Sequence, residues 1–174
     1  YLLRAPPFAG GDPERARSLA LEMRRIQGQE HFGHLNAALV EAELENWPAM
    51  ESHFEQAVSL APSAAFQQRA MFSRAWAHFD KREDYRVAAM IGRFCADGPF
   101  ADDFRFHFIT AESLRNLGDW DQALVYYDQV LALQENAPVS MMGRARCLDR
   151  LGREQEAIEA YRAYLDVHGV SGAT

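Results

Sequence analysis

Two stretches of this chain read as one pattern set 34 residues apart. Leu117–Tyr127 is LGDWDQALVYY and Leu151–Tyr161 is LGREQEAIEAY. Gly118 maps onto Gly152, Ala123 onto Ala157, Tyr127 onto Tyr161, and Leu114 just upstream onto Leu148. A fixed spacing of small, turn and aromatic residues marks a helix–turn–helix unit. Such a unit cannot hide its apolar face alone and must stack on a neighbour.

The register extends upstream. The residue near the start of each second helix falls at Ala16, Met50, Ala88, Ala123 and Ala157, at intervals of 34, 38, 35 and 34. Seven residues further on come Met23, Ala57, Cys95, Val130 and Tyr164, and first helices carry Ala38, Ala111 and Ala145. Small residues there let paired helices approach closely while large ones fill the adjoining groove. In the 65–100 segment, Trp76 is aligned with those alanines, and Gly92 with Phe54, Tyr127 and Tyr161. A large residue on one helix would then be offset by a small one on the facing helix.

Apolar residues at helical spacing predict helices throughout. The first described by this pattern follows Asp12 as cap, with Pro13 at its first position, and ends at Gly28. Others are expected over 31–44, 47–60 behind Asn46 as cap, 65–80, a segment behind Asp84, 102–116, 117–134, 138–150 and 154–167. Tyr1–Ala5 reads as the tail of a further helix stopped by Pro6-Pro7, Gly10-Gly11 as a turn, and Val170–Thr174 as a frayed tail. No alternating apolar run bounded by turns reads as a hairpin.

This pattern resembles the tetratricopeptide repeat family, built from 34-residue helix pairs. The resemblance covers a half-repeat at 12–27 and repeats at 31–64, 65–100, 104–137 and 138–171, with a short tail at 172–174. It implies an all-α, right-handed solenoid of antiparallel helix pairs forming one domain. Pro62 matches the family's closing proline, whereas the Asn46-Trp47 and Asp84-Tyr85 turns lack its glycine.

Composition narrows function. A net charge of −7 disfavours nucleic acid, which needs a basic stripe. No apolar run approaches the 18 or so residues that span a bilayer. The compartment stays open between cytoplasm and bacterial periplasm. Tyr1 in place of Met reads as a piece of a longer chain. Cys95 and Cys147 fall on apolar helical positions and are expected as buried free thiols.

Within the family, first helices line a concave groove that grips segments of other proteins. By matching positions the groove here is lined by Asn36, Leu39 and Glu43, then Ser73, Arg74, Ala77 and Lys81. Next come Arg105, Phe108, Ile109, Glu112, Arg115 and Asn116, and finally Met142, Arg146, Asp149 and Arg150. The arginines suit an acidic segment, since the guanidinium fork matches a carboxylate, while Phe108 and Met142 offer apolar contact. The alternative is that these arginines pair with neighbouring Asp and Glu on a solvated face. The chaperone-binding clamp of one subclass is not expected: Leu35 and Leu39 stand at its polar places and leave Asn36 without partners.

No HExxH, GxGxxG, GxSxG, Walker or CxxC motif is present. His31 and His34 share a helix face but lack a third metal ligand. His107 reads as a packed histidine. Glu41 breaks an apolar stripe and is either a buried carboxylate or, more commonly, a partly exposed edge residue. Asp102-Asp103 read as charges at a helix start. No cofactor or metal is expected. The leading reading is a non-catalytic scaffold that binds a protein or peptide segment. The alternatives are a spacer or end-to-end self-association arm, suggested by Ile158, Tyr161, Tyr164 and Leu165 on the last helix, and a substrate-recruiting accessory module of a larger enzyme or of an envelope or polysaccharide-export assembly.

Overall fold

The computed structural model describes residues 12–169. The segments read as a helix tail at Tyr1–Ala5, a turn at Gly10-Gly11 and a tail from Val170 lie outside them. Nine helices make up the described residues: α1 (Pro13–Met23), α2 (Glu30–Glu43), α3 (Trp47–Ser59), α4 (Ala64–Asp80), α5 (Tyr85–Ala96), α6 (Phe104–Asn116), α7 (Trp120–Leu133), α8 (Pro138–Arg150) and α9 (Glu154–His168). The chain divides into two compact units, Tyr1–Glu83 and Asp84–Thr174. The repeat read at 65–100 thus gives α4 to one unit and α5 to the other.

Helix starts follow the cap residues in part. Asp12, Ser63, Asp84, Asp103 and Asp119 each accept a backbone N–H of the first turn. Asn46 stands at the start of α3 without making such a bond. Its side-chain amide donates instead to Glu41 at 2.8 Å. Gly118 and Gly152 turn the chain with φ of 80° and 71°, and where glycine is missing Glu45 and Glu83 adopt the same left-handed backbone at 57° and 53°.

In the N-terminal unit α2 packs on α1, α3 and α4. Its core joins Leu35, Ala38, Met50, Phe54, Ala57, Phe66 and Ala70. Burying a Phe or Leu side chain in this way contributes about 1.5–3 kcal/mol. In the C-terminal unit each helix from α5 to α9 packs on the next, and α6 also lies against α8. Phe106, Ile109, Tyr127 and Leu148 are sealed at its centre.

The 65–100 register needs a correction. Ala75 is 0% exposed, as are Ala38, Ala111 and Ala145, whereas Trp76 is 37% exposed. The small residue of that helix is therefore Ala75, and Trp76 takes the next position, on the open side. Gly92 is not matched to it: a Cβ there would overlap the hydroxyl of Thr110 on α6.

Of the two readings of Glu41, the buried one holds. It is 3% exposed and takes both oxygens to Arg17 of α1, at 2.7 Å each. It is a satisfied buried carboxylate that ties α1 to α2, not an edge residue.

Candidate functional site

The C-terminal unit carries a hollow of about 270 Å³ between α6 and α8, bounded by Tyr164 of α9. Helical spacing puts Phe108, Glu112 and Arg115 on one face of α6, and Val139, Met142 and Arg146 on one face of α8. Glu112, Arg115, Val139, Met142 and Arg146 line the hollow, with Pro138 and Gly143.

Its floor is a buried polar network. Glu112 accepts the Tyr127 hydroxyl at 2.5 Å on one oxygen and Arg115 at 2.8 Å on the other. Tyr127 reaches it because position 143 has no side chain, and a Cβ there would overlap the Tyr127 ring. Burial, then the charge of Glu112, push the Tyr127 hydroxyl far above the usual phenol range, so it remains a donor. Burial disfavours the Arg115 charge, but the hydrogen bond and charge of Glu112 prevail and its pKa is raised. At the rim, Arg146 is exposed and makes no ion pair among the described residues. Met142, Val139 and Tyr164 line the hollow beside it.

The N-terminal unit carries a hollow of about 260 Å³ between α2 and α4, lined by Leu39, Ala42, Glu43, Phe72, Ser73, Trp76, Ala77, Asp80 and Lys81. Trp76 dominates it. Its ring lies 6.1 Å from Phe72 and 5.6 Å from Phe79, so three aromatic rings run along one side of α4. Lys81 bridges to Glu43 at 2.9 Å.

Four of the sequence candidates, Glu112, Arg115, Met142 and Arg146, thus converge on one hollow. Arg105 and Phe108 share the α6 face but lie outside its lining, and Arg105 folds back on Asp103, with Nε and an NH2 group at 2.8 and 2.6 Å. Asn36 and Arg74 lie outside the α2/α4 hollow. Asn36 turns its amide toward the Met23 sulfur at 3.6 Å. Arg74 pairs with Glu51 of α3 at 2.6 Å, and the same carboxylate meets the buried His78. Trp76, Phe72, Val139 and Tyr164 were not among the sequence candidates. Recognising Ala75 as the small residue would have placed Phe72 and Trp76 at the lining positions of their helix.

Among the described residues no three His, Cys, Asp or Glu side chains converge as metal ligands. His31 lies tilted against Phe32 and edge-on to Phe66, while His34 meets His53. His107 bridges the Ala101 carbonyl at 2.7 Å and the Gln129 amide at 2.8 Å, a packing role. Burial pushes the thiols of Cys95 and Cys147 up to about 12 and about 11, so neither is a nucleophile at neutral pH. No helix of the described residues is long and apolar enough to cross a membrane.

Residues 110–168 match the family model described as tetratricopeptide repeat. That segment is tetratricopeptide repeat. It includes every residue that lines the α6/α8 hollow. Solved structures of MamA share the fold. One from AMB-1 is 16% identical with a TM-score of 0.70 over 89% of each chain. Another, from Desulfovibrio magneticus RS-1, is 13% identical with a TM-score of 0.74, over 94% of this chain and 89% of that one. No curated protein matches the chain by sequence.

Proposed function

We propose that this chain is a non-catalytic protein-interaction module whose α6/α8 hollow holds an acidic, partly apolar segment of another polypeptide. The observation that carries this reading is Arg146, exposed and without an ion pair, beside an Arg115 already held in place by Glu112. Two guanidiniums from successive first helices flank one hollow whose other walls are Met142, Val139 and Tyr164. A segment alternating Glu and Leu supplies both chemistries that the hollow lacks. The buried Tyr127–Glu112–Arg115 network keeps the floor rigid, which lowers the ordering cost of binding.

Fluorescence anisotropy of a labelled Glu/Leu peptide tests it, with a Lys/Leu peptide of equal length as the comparison. The acidic peptide is expected to bind and the basic one not. Arg146→Glu is expected to weaken binding about tenfold or more, since it replaces attraction by repulsion. Equal binding of both peptides, or no effect of Arg146→Glu, overturns the reading.

A second reading has its own observation. Ile158 and Leu165, two turns apart on one face of α9, are 44% and 59% exposed, an apolar flank that suits self-association. Light scattering across a concentration series tests it, and a constant monomer mass would exclude it.

A further inference from the structure

The three tryptophans of the chain are treated differently. Trp47 carries the guanidinium of Arg82 at 5.8 Å from its ring centre. Trp120 carries that of Arg150 at 5.6 Å. Trp76, in the α2/α4 hollow, has no described cation over its ring although 37% of its surface is open. The anionic partner that such a cation would need is beside it. Asp80 lines the same hollow and is about half exposed, and its nearest cation, Lys81, stands 3.9 Å away while making its closer bond to Glu43. Two carboxylates therefore share one ammonium at the end of an aromatic strip. This is an excess of negative charge, opposite to the arginine-lined hollow of the C-terminal unit.

We propose that the α2/α4 hollow is a docking site for a protein segment that lays an arginine on Trp76, its guanidinium directed to Asp80 and its apolar neighbours against Leu39 and Phe72. Arginine fits better than lysine because its planar head stacks on an indole face and forks onto a carboxylate at once. A purely apolar occupant would cover the rings but leave Asp80 facing a dry surface, which costs free energy. The site is separate from the acidic-segment hollow, so either assignment stands if the other fails.

The test uses the whole chain with ¹⁵N-labelled tryptophan, whose three indole N–H signals are assigned by single Trp→Phe variants. The probes are acetyl-Leu-Arg-Leu-amide and its glutamine and lysine counterparts. The arginine peptide is expected to move the Trp76 signal and not those of Trp47 or Trp120. The glutamine peptide should bind at least roughly threefold more weakly, the scale of a surface cation–π contact, with lysine between the two. Asp80→Asn should weaken the arginine peptide roughly threefold, the scale of an exposed ion pair, and should leave the glutamine peptide unchanged. Trp76→Ala should abolish binding of a fluorescein-labelled form of the arginine peptide followed by anisotropy, with the Trp47 and Trp120 indole signals reporting that the fold survives. Should that variant misfold, the Asp80→Asn comparison decides alone. Equal response to arginine and glutamine peptides, a response confined to the other tryptophans, or none up to about 10 mM, far weaker than a useful contact, overturns the proposal. A Trp76 signal that shifts with protein concentration alone overturns it in favour of a second copy as occupant.

Discussion

His34 and His53 meet through their Nδ1 atoms at 3.2 Å. Burial holds both imidazoles below their ordinary value. The charge of Arg24 adds to this for both, His53 adds for His34, and at His53 Arg17 adds while Glu41 opposes. A base whose folded pKa is depressed takes its proton more readily when unfolded. Stability is therefore full above about pH 6.5 and falls as pH drops from there through the depressed folded values. Urea unfolding of the N-terminal unit at about pH 7.5 and about pH 5 should show that loss, and the His34→Gln/His53→Gln double variant should flatten it. Arg17→Ala belongs to the same scale. It strands the Glu41 carboxylate, and because Arg17 is itself partly exposed the expected cost is about 2 kcal/mol by urea unfolding, below the range for a fully buried pair. Glu41 stood out in the sequence as a carboxylate in an apolar stripe. Its partner did not, because Arg17 lies 24 residues away on another helix and no local pattern links them.

Helix packing explains both what the repeat pattern foretold and where it slipped. All eight helices expected between residues 12 and 169 with stated spans or caps are found, together with α5 behind Asp84, because caps, glycine turns and 3.6-residue periodicity are local signals. The Trp76 assignment slipped by one residue because the connection before α5 is longer than in the last repeats, and only burial shows that Ala75 carries the packing role. The α6/α8 hollow was half legible. Glu112, Arg115, Met142 and Arg146 follow from repeat register, but the Tyr127–Glu112 bond depends on Gly143 opposite, a contact between helices. Two outcomes test the packing. Gly33→Ala places a Cβ 2.5 Å from the backbone nitrogen of Arg24, which cannot yield as a side-chain tip would. The expected result is loss of hydrogen-exchange protection in α1, with about 1–3 kcal/mol of destabilisation. Glu45→Gly relieves a left-handed residue at the α2–α3 turn and should gain about 0.5 kcal/mol, the relief exceeding the entropy glycine adds to the unfolded chain.

For the molecule as a whole, nearest-neighbour packing within two compact units makes stability divisible, as in other repeat proteins. Trp47 and Trp76 report on the N-terminal unit and Trp120 on the C-terminal one. In single-tryptophan variants, Arg17→Ala should lower the urea midpoint seen at Trp47 and leave that seen at Trp120 unmoved. A shared shift would mean that the two units unfold together. The net charge of −7 is unevenly spread, so the acidic segment proposed for the α6/α8 hollow would meet local attraction inside overall repulsion, and its binding should weaken as salt is raised. The sealed state of Cys95 and Cys147, both 0% exposed, has a practical side. A maleimide dye offered to the native chain has no sulfur to find, so Met90→Cys, at a position 63% exposed, would carry one fluorophore at one address and let partner capture be watched in real time.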